Sequence, residues 1–318
     1  MRPVTSVRPV VLAVVLASAC GAVAPGDRAA GPAGAVPARL WIGGDVFLGA
    51  GGHGALASIP AIVGGAPGIV NLEGPVGDGP GGDGNDGRAG APVRLIHTAG
   101  ALAELRAAGV VVAGIANNHA RDIGAEGGVA TARALAAAGV QAAGAPVGPA
   151  MVTLGGLRAV VTAHDLEAGV PAALHAELAA ARRRGDLLVA TFHVTGPATY
   201  LPRPELVDAV AIALDAGAAV IAAHGTHELA RVERRGRAVI AWGLGNLAFA
   251  CACTDEPSGA VLEVALGADG AGEAAIIPID AGLAQGAAQA AGDPALTFEL
   301  LEALGSSRLQ RRGDRAGF

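Results

Sequence analysis

Side chains able to hold a metal ion recur along this chain at one kind of place. Asp45 follows the apolar run Arg39–Gly43, and Asn71 and Glu73 close the run Gly68–Leu72. Asn117, Asn118 and His119 follow Val110–Ile115, and His193 follows Leu187–Phe192. His224 and His227 follow Ala219–Ala222, and Asn246 comes shortly after Ala238–Ala241. The donors are carboxylates, carboxamides and imidazoles without thiolates, a set that suits divalent Mn, Zn, Fe or Mg. A lone histidine is more often a packed or solvated side chain than a ligand. Repetition at the ends of apolar runs lifts this set above that background.

For these residues to meet, the chain must bring distant strand ends together. Short apolar runs alternate with helical stretches, the pattern of a βα-rich domain with a mainly buried sheet. Ala159–Thr162 and Ala260–Ala265 complete the strand candidates. Thr98 can cap a helix running to Ala108, with Leu102 and Leu105 on its buried face and Gly109 after its end. Further helices are expected over about Ala125–Ala138, Pro171–Arg184 and Glu205–Ala216, the last with Pro204 at its start and Gly217 beyond it. In open α/β sheets sites form outside the carboxyl ends of strands, so these donors can converge. Arg182-Arg183-Arg184 reads as a solvated helix end that suits the C-terminal dipole. Arg203, near Tyr200, can meet an anionic substrate or pair at a helix start. His53, His97, His164 and His175 are expected to be structural or exposed.

A chain of 318 residues allows one large domain or two small ones. Its hydrophobic content of 52% with 3% aromatics implies a core of Ala, Val, Leu and Ile. Every basic residue is arginine, the net charge is −6, and no basic stripe is present, which argues against nucleic acid as a partner. Residues 1–20 read as an export signal. Arg2 and Arg8 precede the apolar run Val10–Leu16, which is shorter than the roughly 20 residues a membrane span needs. Ala17-Ser18-Ala19-Cys20 then resembles a lipobox, with Cys20 acylated at the new N-terminus and the protein lipid-anchored in the cell envelope. Ordinary cleavage after Ala19 is the alternative, and gives a secreted or periplasmic protein. Residues 21–38 are Gly, Ala and Pro with little else and read as a tether. The main domain is expected over 39–292, with a short helix and a disordered basic tail over 293–318. Cys251 and Cys253 are expected to be two buried small hydrophobes rather than a bridge. The Gly- and Asp-rich stretch Gly77–Ala91 is expected to be a mobile loop at the mouth of the site.

Several motifs together resemble the CapA family of poly-γ-glutamate capsule synthesis proteins. They are Gly44-Asp45-Val46-Phe47-Leu48-Gly49, Asn71-Leu72-Glu73-Gly74-Pro75, Ala116-Asn117-Asn118-His119 continuing to Gly124, and Gly243-Leu244-Gly245-Asn246-Leu247. They appear in the family's order between about Arg39 and Ile279. The resemblance implies a metallophosphatase-like α/β fold, an α-β-β-α sandwich of two mixed sheets flanked by helices. It also implies Asp45, Glu73, Asn118, His193, His224 and His227 as ligands of one or two divalent metal ions, with His119 as the catalytic residue, either the acid or the histidine that orients the phosphate. Asn71, Asn117, Asp122 and Asn246 would support them. Two departures stand out. Phe47 lies where catalytic metallophosphatases carry a histidine, and Gly225 where the family commonly has the second of two consecutive histidines. The implied roles are a metal-dependent hydrolase acting on a phosphoester or envelope polymer, or a non-catalytic assembly protein. Such an assembly protein would bind a capsular polymer or membrane-bound capsule synthesis proteins.

Overall fold

The computed structural model of the protein describes residues 38–77, 93–251, 253–284 and 286–318. The export signal, Cys20, the tether up to residue 37 and residues 78–91 of the expected loop lie outside the described residues.

The chain first lays down four parallel strands side by side: β1 (Ala38–Phe47), β2 (Gly68–Leu72), β3 (Val110–Gly114) and β4 (Gln141–Ala143). Helices α1 (Ile59–Ile62), α2 (Leu102–Ala107) and α3 (Gly127–Ala137) connect them. A second sheet follows, built from β5 (Ala150–Leu154), β6 (Leu157–Asp165), β7 (Leu187–His193), β8 (Val220–His224), β9 (Val232–Arg235) and β10 (Ala238–Ala241). Its order is β5-β6-β7-β8-β10-β9, with α4 (Leu174–Arg184) and α5 (Pro204–Asp215) as crossovers. The chain returns to the first sheet through β11 (Asn246–Phe249), parallel to β1, then the antiparallel pair β12 (Ser258–Gly267) and β13 (Gly270–Asp280). Short strands β14 (Gly282–Leu283) and β15 (Gln289–Ala290) and helix α6 (Pro294–Ala303) precede a final hairpin, β16 (Gln310–Arg312) and β17 (Arg315–Gly317). Both sheets are mixed.

Side-chain alternation along the strands stacks the layers. Leu40, Ile42, Ile69 and Val112 of the first sheet pack between the sheets on Val161, Val189, Ala222 and Val239 of the second. Trp41, Val70 and Ala113 point the other way, onto Ile59, Leu102, Leu105 and Leu135. Val160, Leu188 and Ile221 pack outward on Leu174, Leu178, Leu206 and Val210 of α4 and α5. The result is the α-β-β-α sandwich that the motifs imply. Thr98 accepts a hydrogen bond from Ala101 N–H at the expected helix start, and Pro204 opens α5. No helix among the described residues is long and apolar enough to cross a membrane.

Four expectations are corrected. β1 runs on to Phe47, so Asp45 lies inside the strand rather than after it. Asn246 opens a strand of its own, because β11 pairs with β1 through Asp45 and Asn246. Cys251 and Cys253 form a disulfide; their Cα atoms are 5.1 Å apart, within bridging range. The basic tail is ordered. β17 pairs with β13 and buries Ala316, and Arg315 donates to Glu263 Oε2 at 3.1 Å. Arg203 takes the helix-start reading, with Nη1 donating to Thr195 O at 2.9 Å and Nε 3.6 Å from Glu205 Oε2.

Candidate metal centre

Two rows of side chains meet at the carboxyl ends of the two sheets. Strand register places Asn71, Asp45 and Asn246 on the neighbouring strands β2, β1 and β11. In the second sheet it aligns Asp165, His193 and His224 on β6, β7 and β8. The pairing of β1 slips on both sides of Asp45, against β2 before it and against β11 after it. Such irregularities re-aim a side chain at the rim of a sheet. Gly44 permits the close approach this needs, since a Cβ there would lie 2.0 Å from Gly245 O.

Asp45 is fully buried and held from two sides. Oδ1 accepts from Asn71 Nδ2 at 2.8 Å, and Oδ2 accepts from Gly225 N–H at 2.9 Å. His224 Nδ1 stands 3.6 Å from Oδ1, and His227 Nδ1 stands 3.5 Å from Oδ2. Asp45, Glu73 and His193 each present a ligand atom within 4.8 Å of the others. His227 Nε2 and His119 Nε2 are 3.9 and 4.0 Å from Glu73 Oε1. Asn118 Oδ1 accepts from His193 Nε2 at 2.9 Å. All seven residues named as ligands or catalytic acid are therefore in one place.

The carboxamides form the scaffold. Asn117 donates to Leu72 O at 2.8 Å and to Asn71 Oδ1 at 3.2 Å, tying the loop after β3 to β2. Asn246 Oδ1 accepts from His227 Nδ1 at 2.8 Å, leaving Nε2 towards Glu73. His227 adopts φ +60°, a left-handed conformation rare outside glycine and typical of residues fixed by a site. Asp122 Oδ2 accepts from His119 Nδ1 at 2.7 Å and from Leu95 N–H at 2.6 Å, fixing both ring and carboxylate.

Electrostatics show what the cluster lacks. Burial raises Glu73 well above the usual carboxylate range, and the Asp45 charge adds to the effect. Burial also pushes His193 down to about 3, against the pull of Asp45, and lowers His224. Among the described residues the only ion-pair partners of Asp45 and Glu73 are histidines. Glu73 Oε2 and both ring nitrogens of His224 are buried without hydrogen-bond partners. Buried polar atoms are costly to leave unpaired. A divalent cation supplies both the missing partner and the missing charge, so the donor set fits one.

Sequence reasoning missed the roles of Phe47, Asp165 and Gly225, and placed His97 among the structural or exposed histidines without giving its contacts. His97 is fully buried below Glu73, with Nε2 donating to Glu73 O at 3.0 Å and Nδ1 accepting from Leu48 N–H at 3.3 Å. Phe47 packs edge-on against that ring, 5.0 Å between centroids, and faces core rather than metal. Asp165 pairs with His193 across β6 and β7. Gly225 has φ +96°, and a Cβ there would lie 2.7 Å from His193 Nε2. A side chain at 225 would require the His193 ring to shift.

Burial lowers His97 from 6.5 to about 4. The unfolded chain takes up a proton that the folded ring refuses, so His97 leaves stability intact above pH 6.5 and removes it as pH falls towards 4. At pH 5 the loss is about 2 kcal/mol. Urea unfolding at pH 7 and pH 5 checks this: His97→Gln should start less stable yet lose less on acidification.

The family model of the bacterial capsule synthesis protein PGA_cap matches residues 57–250. That stretch contains His119 and every candidate ligand above except Asp45, which lies 12 residues before it. No curated protein matches the chain. A crystal structure of a hypothetical protein from Thermus thermophilus is similar in fold, with a TM-score of 0.50 at 14% identity, covering 76% of this chain and 99% of that one. With the match spanning more than half of its length, the chain belongs to the bacterial capsule synthesis protein family, PGA_cap.

Proposed function

We propose that this protein serves the synthesis, retention or export of a capsular polymer of the poly-γ-glutamate type, through a divalent-metal site of phosphoesterase type. The observation that carries the proposal is the cluster of buried Asp45, Glu73, His193 and His224 with half-buried His227, which has orphaned atoms and, among the described residues, no arginine partner. Asp45, Glu73, Asn118, His193, His224 and His227 would hold one or two ions of Mn, Zn, Fe or Mg. Bound there, a divalent ion supplies Lewis acidity towards a phosphoryl oxygen and lowers the pKa of a bound water.

The chain's own residues supply the rest. Asp122 holds Nδ1–H of His119, which leaves Nε2 on the Glu73 side to carry the second proton of the imidazolium. Donation from Nε2 to a leaving oxygen returns the ring to its neutral form without moving Nδ1–H. Asn71 Nδ2 and Gly225 N–H hold the Asp45 carboxylate fixed in direction. Inductively coupled plasma analysis of the full chain after incubation with Mn or Zn should find one or two ions. A phosphodiester assay should then find turnover. A metal-free chain refutes the ligand set, while bound metal without turnover assigns the non-catalytic, polymer-binding role.

Export and a lipid anchor at Cys20 belong to the same reading, with membrane-bound capsule synthesis proteins as partners. Cys20→Ser should move the protein from the membrane to the soluble fraction and abolish labelling by a palmitate analogue. An unlabelled native protein would remove the anchor from the proposal and leave export to be tested by cell fractionation.

A further inference from the structure

A cleft of about 920 Å³ adjoins the metal centre and shares Asn117 and Asn118 with it. Its walls are the loop after β3, the turn between β4 and β5, the end of β6 and one side of α4. Most of the lining is small and apolar, Ala, Gly and Pro, which leaves a smooth trough rather than a fitted pocket. The polar groups on its inner wall are of one kind. Thr162 is 5% exposed, and its Oγ1 has no hydrogen-bond partner. His164 Nε2, two residues on, is likewise unpartnered. Asp165 and the two carboxamides complete that wall, and Glu177 and Glu167 are exposed at the rim. Among the described residues the cations lining the cleft, Arg121 and Arg184, are also exposed.

A polycarboxylate would need guanidinium groups inside such a trough, and here the interior offers a hydroxyl, an imidazole, a carboxylate and carboxamides. These are the groups that exchange hydrogen bonds with hydroxyls. We propose that this cleft binds an uncharged, hydroxyl-rich chain of the oligosaccharide class, laid along β6 and α4 with one end at Asn118. The proposal goes beyond the function given above, adding a neutral ligand to the polycarboxylate named there, and rests on it only for the reacting group at that end. Binding along the cleft itself does not require the metal.

The probes are the tetrasaccharides of glucose and of N-acetylglucosamine, titrated calorimetrically into the full chain, with tetra-γ-glutamate as the anionic control. Thr162→Val keeps side-chain volume and removes an unpartnered hydroxyl, so its melting temperature should equal or exceed that of the native chain. Losing one hydrogen bond to the ligand should weaken tetrasaccharide binding about fivefold. Tetra-γ-glutamate should not compete. Absence of tetrasaccharide binding, unchanged affinity in a folded Thr162→Val protein, or tighter binding of tetra-γ-glutamate each overturns the proposal. The titration is repeated after chelation. Binding that survives metal removal supports the cleft whatever becomes of the metal assignment, whereas metal uptake without tetrasaccharide binding sinks the cleft alone.

Discussion

Glu73→Gln should weaken metal binding by about 100-fold or more while leaving the metal-free protein as stable as the native metal-free protein. The two halves of this expectation have one cause. Glu73 is buried with the Asp45 charge nearby, and both raise its carboxyl well above the usual carboxylate range, which favours the protonated form when no metal is bound. A carboxamide is nearly isosteric with that protonated acid and keeps the backbone hydrogen bond from Glu73 N to Val46 O. In the metal-bound state the carboxylate charge is needed, and Gln cannot supply it. Removing supporting groups alone commonly costs 10–100-fold in metal affinity, so about 100-fold is a lower expectation for a ligand. Competition with a fluorescent chelator measures the affinity, and thermal melts with and without chelator measure stability. A variant that keeps native affinity removes Glu73 from the ligand set. One that unfolds without metal makes Glu73 a structural residue.

The site was legible in the sequence where strand ends carry compact motifs, and the fold was legible where strands are central and buried. Leu187–Phe192 reads as a strand because β7 is covered on both faces, which demands an unbroken apolar run. β5 and β9 did not announce themselves. The first alternates buried and exposed residues at a sheet edge, and the second, Val-Glu-Arg-Arg, is an edge strand with charges. β13 is Gly- and Ala-rich and is held by its long pairing with β12 rather than by propensity. Asp165 was invisible for a related reason. The apolar run of β6 ends at Ala163, but pairing with β7 carries the strand to the site edge. His97 carries no motif because its role is to fix the backbone of Glu73 from below, through contacts that close only in three dimensions.

His119→Ala should lower hydrolysis of a phosphodiester with a poor leaving group by about 10²–10⁴-fold. Metal content should stay native, because the ring reaches no closer than 4.0 Å to Glu73 and its hydrogen bond is to Asp122. An ester of p-nitrophenol needs no proton on its departing oxygen. Its hydrolysis by the same variant should fall far less, and that contrast separates proton donation from positioning. Asp122→Asn tests the orienting contact. The amide can no longer hold Nδ1–H against a negative charge, so the donor role should weaken with both leaving groups ranked as for His119→Ala but by a smaller factor. Asp122 also accepts from Leu95 N–H, so part of any loss reflects a loosened loop, which a melt of the variant would report. If His119→Ala slows both esters equally, the ring positions substrate rather than donating a proton. If it slows neither, His119 has no part in the reaction and the acid must be sought elsewhere on the rim, beginning with Asp165.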